Sequence, residues 1–288
     1  MAGRRGALDP HGTSQGRAAV SAPATLEVRG LRKVFFPGTA NEVTALNGID
    51  LEVPAGQFVS IIGSNGSGKS TLLNAVAGTF PASGGKIVVG GSDVTKQAEH
   101  VRSRVIGRVF QDPRAGTAPS MTIEENLAIS LLRSSRSGLR RGVTNRRREI
   151  MGAQLSRLGM GLEGRLKAGV SKLSGGQRQA MSLLMATIAE PSLLLLDEHT
   201  AALDPKVAAT IMQLTAAIVT ERGLTTLMVT HNMELALRYG DRLIMMHAGR
   251  VVLDLDEEQK ANLKVRDLIE KFHEVAGEAF AVDRMLLE

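Results

Sequence analysis

The stretch Gly63-Ser64-Asn65-Gly66-Ser67-Gly68-Lys69-Ser70-Thr71 follows an apolar run at 58–62 and opens a helix-forming segment at 70–77. The order of strand, glycine-rich turn and helix is the context that makes the pattern G-x-x-x-x-G-K-[ST] a phosphate cradle. Glycines remove the Cβ atoms that would keep backbone N–H groups away from a phosphate chain, so the loop wraps the anion against a helix N-terminus. Lys69 would reach the β/γ-phosphates, and the Ser70 hydroxyl would hold Mg²⁺. Standing alone, such a turn could be an ordinary strand-to-helix connection; its surroundings decide.

Further along, the leucine run 193–196 leads into Asp197-Glu198. This reads as a buried strand carrying two carboxylates to its C-terminal end, where open α/β sheets place their ligands. Asp197 suits the Mg²⁺ shell, and Glu198 suits polarising a water in line with a terminal phosphate. Leu173-Ser174-Gly175-Gly176-Gln177 opens an apolar helix at 180–188, a second anion-binding helix start in the same chain. One nucleotide does not need two such cradles within a single monomer.

Between and around these motifs the chain divides by pattern. Short β-type runs at 26–28, 44–53 and 86–89 are separated by turns. The span 123–185 is dominated by helix formers and reads as a helical subdomain inserted between β elements. Apolar runs at 225–229 and 243–246 suit strands buried on both faces. Ala248-Gly249 joins 242–246 and 250–255 as a hairpin. Val265, Leu268, Ile269, Phe272 and Val275 mark an amphipathic helix that packs on the domain body. No internal repeat is visible.

Composition sets the outer bounds. A chain of 288 residues without cysteine has no disulfide framework and no thiolate metal site. No apolar run reaches the roughly 18 residues that a membrane-spanning helix needs. The first 25 residues lack apolar periodicity and read as disordered. Arg4-Arg5 is followed by Asp9, Pro10 and His11 rather than by an apolar stretch, which speaks against an export signal. The net charge of +6 is local: Arg133, Arg136, Arg140, Arg141, Arg146, Arg147 and Arg148 fall in one stretch with no acidic residue. Such a run is either a solvated loop or a face for anionic lipid headgroups or acidic protein loops.

Taken together, the motifs resemble the ATP-binding cassette of ABC transporters from about Leu26 to Asp256. Six stand in the family's order: the Walker A loop 63–71, Gln111 of the Q-loop, the signature 173–177, Walker B ending at Asp197-Glu198, Asp204 of the D-loop, and the switch histidine His231. The resemblance implies an α/β fold, a P-loop NTPase core with an N-terminal antiparallel β subdomain and an inserted helical subdomain at about 112–185. It implies a tail at 1–25, the ATPase domain at 26–256 and a C-terminal helical extension at 257–288, too short for the regulatory domain of some members.

The same resemblance implies a head-to-tail dimer, with a second copy or a paralogous cassette, and two sandwiched ATP molecules. Each would lie between the Walker A loop of one subunit and Ser174-Gly175-Gly176 of the other. Gln111 would contact Mg²⁺ and the attacking water, His231 would hold the γ-phosphate, and Asp204 would link the two sites. Phe35 matches the aromatic that stacks on adenine, with Phe36 an adjacent rival and local core packing the alternative. His199 stands where many members have proline and reads as a surface turn residue, as does His247; the methionines read as core.

The chain looks most like bacterial solute-importer ATPases that work with branched-chain-amino-acid-type permeases. It would act peripherally at the cytoplasmic face of the cell membrane, on integral-membrane permease subunits and indirectly with a solute-binding protein. No nucleic acid is expected. The competing class is a soluble ABC-type ATPase of iron–sulfur cluster assembly or of nucleic-acid metabolism.

Overall fold

A computed structural model describes residues 24–133 and 142–276, without the side chains of residues 24, 275 and 276. The tail 1–23, the segment holding Arg136, Arg140 and Arg141, the Val275 side chain and residues 277–288 lie outside the described residues. The N-terminal part runs through β1 (Ala24–Phe35), β2 (Val43–Pro54), β3 (Phe58–Gly63), α1 (Lys69–Ala77), β4 (Gly84–Val89), β5 (Ser92–Asp93), α2 (Glu99–Arg102) and β6 (Ile106–Val109). Helices follow: α3 (Ile123–Leu132), α4 (Asn145–Ser156), two 3₁₀ turns at Glu163–Arg165 and Val170–Lys172, and α5 (Gly175–Thr187). The remainder is β7 (Leu193–Asp197), α6 (Pro205–Arg222), β8 (Thr225–Val229), α7 (Met233–Arg238), β9 (Arg242–His247), β10 (Arg250–Leu255), α8 (Glu257–Ala261) and α9 (Val265–Ala276).

Two sheets result. An antiparallel sheet has the order β2-β1-β4-β5, and a six-stranded sheet has the order β10-β9-β3-β8-β7-β6. Within the second, β9, β3, β8, β7 and β6 run parallel and β10 returns antiparallel to β9. The hairpin turn at Ala248-Gly249 has φ values of +45° and +72°, the left-handed pair that a two-residue connection favours. β1 extends well beyond 26–28, because a bulge between Val28 and Leu31, at Gly30 with φ +54°, bends the strand without ending it.

The run of leucines in β7 explains how one strand serves two cores. Leu193 and Leu195 pack with Val59, Ile61, Leu227 and the first sheet, while Leu194 and Leu196 pack with α3, α5 and α6 on the opposite face. Because side chains alternate along a strand, an unbroken apolar run is what a doubly covered parallel strand requires. α9 covers a third cluster, burying Leu268 and Phe272 against Ile62, Leu243 and Met245. Several arginines of the basic stretch are engaged within the chain. Arg133 donates to Ala186 O, Arg147 to Gly142 O, and Arg148 pairs with Glu124 at 2.7 Å.

Neither β6 nor α6 stands out by periodicity. α6 does carry terminal signals, with Asp204 as N-cap, Pro205 in the first turn and Gly223 in the left-handed C-terminal position. α1 is closed by a comparable device. Its C-cap Gly78 has φ +86°, and the buried Arg102 guanidinium donates to Ala75 O and Val76 O, as well as to Gln97 O and Thr95 O. An ammonium cannot reproduce this planar fork. Arg102→Lys is therefore expected to lower stability by about 2 to 4 kcal/mol, read as a fall in the urea midpoint at constant slope.

Candidate active site

β3, β8 and β7 are neighbours in the parallel sheet, so their C-terminal ends bring Gly63, His231 and Asp197-Glu198 to one edge. The loop leaving β3 is pressed against its surroundings. A Cβ at Gly63 would collide with the Met246 carbonyl, and one at Gly68 would lie 2.6 Å from Ala45 O. Gly63, Gly66 and Gly68 have φ values of +148°, +77° and +101°, so the loop's turns use backbone states that side chains disfavour. Ser64 and Ser67 are buried within it, while Asn65 and Gly66 are exposed. Lys69 is buried, its ammonium donating to Gly63 O at 2.7 Å and Ser64 O at 2.9 Å. Burial lowers the Lys69 pKa, opposed by the Glu198 and Asp197 carboxylates.

Two observations test whether this cradle suits phosphate and magnesium. The Ser67 hydroxyl is buried with no hydrogen-bond partner, a donor waiting inside a glycine-walled loop. Ser70 Oγ and Asp197 Oδ1 lie 3.3 Å apart, a hydroxyl and a carboxylate of the hard-oxygen kind that Mg²⁺ takes. Both fit. Thr71 follows on α1, half-buried.

Asp197 is also held from the other side by Arg108, a residue that the motifs do not reveal. Its guanidinium lies 3.3 Å from Asp197 Oδ2, donates to Asn74 Oδ1 at 2.7 Å, and stacks 4.5 Å from the Phe110 ring centroid. Gln111 stands exposed two residues beyond β6, whose last residue Val109 is in register with Leu196 of β7. Glu198 has φ +43°, an uncommon conformation for a long side chain. Its N–H donates to Val229 O, and its carboxylate lies 3.4 Å from His231 Nδ1.

The hydrogen bond from His231 holds the Glu198 carboxyl below its ordinary range, and the same bond raises His231. For a raised histidine the pair's contribution is complete below the ordinary pKa and is lost as pH climbs through the raised value. In an NMR titration of the nucleotide-free protein, the His231 midpoint should lie above 6.5, and Glu198→Gln should move it back down.

The second helix start lies elsewhere in the chain. Ser174 caps α5 in a reciprocal box with Gln177, whose amide also donates to Met160 O. Leu173 is buried, and Gly176 passes so near Val207 of α6 that a Cβ would lie 2.5 Å from its methyl group. Asp204 is exposed and accepts from Val207 N at 3.1 Å. Phe35 is half-buried, edge-on to Phe80 at 5.3 Å, with the Lys33 ammonium 4.8 Å from its ring; Phe36 is 66% exposed with φ +51°.

His199 corrects a sequence expectation: it is not a surface turn residue but 2% exposed. Its Nε2 lies 3.1 Å from Thr215 Oγ1 on α6. The Thr215 hydroxyl already donates its single proton to Ile211 O at 2.8 Å, so the imidazole must donate from Nε2. The position next to a charged pair at a strand end looks exposed in one dimension; only the packing of α6 over the turn buries it. Burial pushes the His199 pKa down to about 4. A depressed base stabilises the fold above its ordinary pKa and loses that contribution as pH falls. Between pH 7 and pH 5 the loss should be about 2 kcal/mol in urea unfolding, and His199→Gln should flatten that slope.

A strand–loop–helix phosphate cradle at the end of a parallel sheet, with paired carboxylates on a neighbouring strand, defines a P-loop nucleotide hydrolase. The family description ABC transporter matches residues 46–201. A tyrosine transport ATP-binding protein of Clostridioides difficile (strain R20291) is 45% identical over 247 residues, 86% of this chain and 98% of its own. An aliphatic sulfonates import ATP-binding protein of Agrobacterium fabrum (strain C58 / ATCC 33970) is 39% identical, over 84% and 83% of the two chains. Among solved structures, the dimeric post-hydrolysis state of the cassette MJ0796 bound to ADP and Pi is similar, with TM-score 0.70 and 28% identity over 81% of this chain and 98% of that one. The chain belongs to the ABC transporter family, as its ATP-binding ATPase component coupled to transport.

Proposed function

We propose that this chain is the motor of a bacterial importer of a small, amino-acid-like solute, acting at the cytoplasmic face of the membrane on permease subunits. The convergence of Lys69, Ser70, Asp197, Glu198 and His231 at adjoining strand ends carries the reading. The 45% identity to a tyrosine transport ATP-binding protein supports the amino-acid class, and the sulfonate relative supports import of small organic solutes generally. Among the described residues no helix is long and apolar enough to cross a membrane. The names of the relatives support transport over a role in iron–sulfur assembly or nucleic-acid metabolism.

In this reading the loop 63–71 binds the phosphates through its N–H groups and Lys69, whose bonds to Gly63 O and Ser64 O give way to the more strongly charged partner. Ser70, Asp197 and Gln111 would hold Mg²⁺, which when bound neutralises phosphate charge. Glu198, kept ionised by His231, accepts a proton from the attacking water; His231 reaches the γ-phosphate. Phe35, steadied by Phe80 and Lys33, stacks on adenine. The packing of Gly176 against Val207 of α6 supports a site completed by a second protomer, with Asp204 at the junction. Of the described arginines in the basic stretch, the exposed Arg146 at the start of α4 would face acidic permease loops or lipid headgroups.

Glu198→Gln should bind ATP, elute as a dimer only with nucleotide, and hydrolyse at least 100-fold more slowly. Lys69→Ala should weaken ATP binding itself, by about tenfold or more in calorimetry. Native-rate turnover by Glu198→Gln would remove Glu198 from the role. A multi-span protein retained by the ATP-loaded Glu198→Gln protein from solubilised membranes would support transport, and a purely soluble partner would overturn it.

A further inference from the structure

Glu198 sits in the left-handed region at φ +43° although it is neither glycine nor asparagine. Such a conformation costs of order 1 to 3 kcal/mol and persists only where the surroundings over-determine it. The peptide is held at its N–H by Val229 O and at its carbonyl by Ala201 N at 2.9 Å. Neither contact fixes the residue that follows. That is His199, whose ring is buried and tied to the middle of α6 through Thr215 Oγ1. For Glu198 to relax to an ordinary backbone state, the 198–199 peptide must turn, and the imidazole must leave Thr215.

We propose that His199, anchored on Thr215, is a positioning residue that locks the Glu198 backbone in its left-handed state and so aims the Glu198 carboxylate at the site edge. This rests on the reading of Glu198 as the base. The Thr215 hydroxyl, itself held by Ile211 O, gives the imidazole a fixed acceptor rather than a mobile one. Proline, restricted in φ, would stiffen this turn through its own ring; here a side-chain brace to α6 does so. α6 also carries Val207, against which Gly176 packs, so the brace joins the turn after Glu198 to the helix that seats the signature segment.

The test uses the full chain with magnesium and ATP, comparing Thr215→Val, which keeps the shape and removes the acceptor, with Thr215→Ser, which keeps it. Thr215→Val should lower the hydrolysis rate per bound ATP about tenfold with the KM for ATP within about twofold, and Thr215→Ser should restore the rate. Thr215→Ala, which leaves space beside the imidazole, serves if the valine variant does not fold. An unchanged rate per bound ATP in folded Thr215→Val or Thr215→Ala, even with lowered thermal stability, would overturn the proposal, since a merely structural brace changes stability alone. Glu198→Gln measured alongside separates the two failures. Its native-rate turnover would sink the base assignment, whereas its inactivity with a normal Thr215→Val would sink only the role of His199.

Discussion

Everything at this site depends on how closely the backbone passes at Gly63 and Gly68. At Gly63 the chain leaves β3 against the Met246 carbonyl of β9, and at Gly68 it enters α1 against Ala45 O of β2. The same region is stitched by Gly249 N to Ser67 O at 3.0 Å and by Asn47 N to Gly249 O at 2.8 Å. The loop is thus the seam where the antiparallel sheet meets the parallel one. A side chain at either glycine would push the sheets apart before it disturbed any ligand. Fold stability and the phosphate-binding role proposed for this loop would draw on the same absence of Cβ atoms.

The electrostatics follow from that closeness. Lys69 is a buried cation on two carbonyl oxygens, with Asp197 and Glu198 near enough to oppose the effect of its burial. Asp197 is shared between Ser70 and Arg108, and Glu198 is paired with His231. Each carboxylate therefore has a partner of its own. The two acids stand on consecutive residues yet occupy different environments, which suits one to a metal shell and the other to proton transfer. The split arises from the strand end: β7 closes at Asp197, and the left-handed turn at Glu198 sends its side chain elsewhere.

The parts legible in the sequence were those whose chemistry is local. Gly63 through Thr71 carries its geometry in its own residue types, the run 193–196 shows by its unbroken apolarity that β7 is covered on both faces, and Ala248-Gly249 contains its turn. What escaped was set by packing. Arg108 looks like any strand arginine until β6 lies beside β7. His199 looks like a turn residue until α6 covers it. β1 runs beyond the pattern at 26–28 because Gly30 forms a bulge and does not end the strand. α6 carries terminal signals, and its buried positions, Ile211, Met212, Thr215, Ile218 and Val219, follow helical spacing but include one polar residue, which is engaged by His199.

α6 links the helix-end and strand-end segments for a geometric reason. Asp204 caps its start, Val207 in its first turn leaves room beside it only for Gly176, and Thr215 two turns later holds His199. An α-helix is stiff over this length, about 12 Å at 1.5 Å per residue, and its buried face is packed into the same core as β7 and α5. α6 thus joins the start of α5 at one end to the turn after Glu198 at the other. A sheet edge alone could not do this, because the strands end before either loop begins. The apolar run that buries β7 and the polar brace that holds its last turn are two consequences of one covering helix.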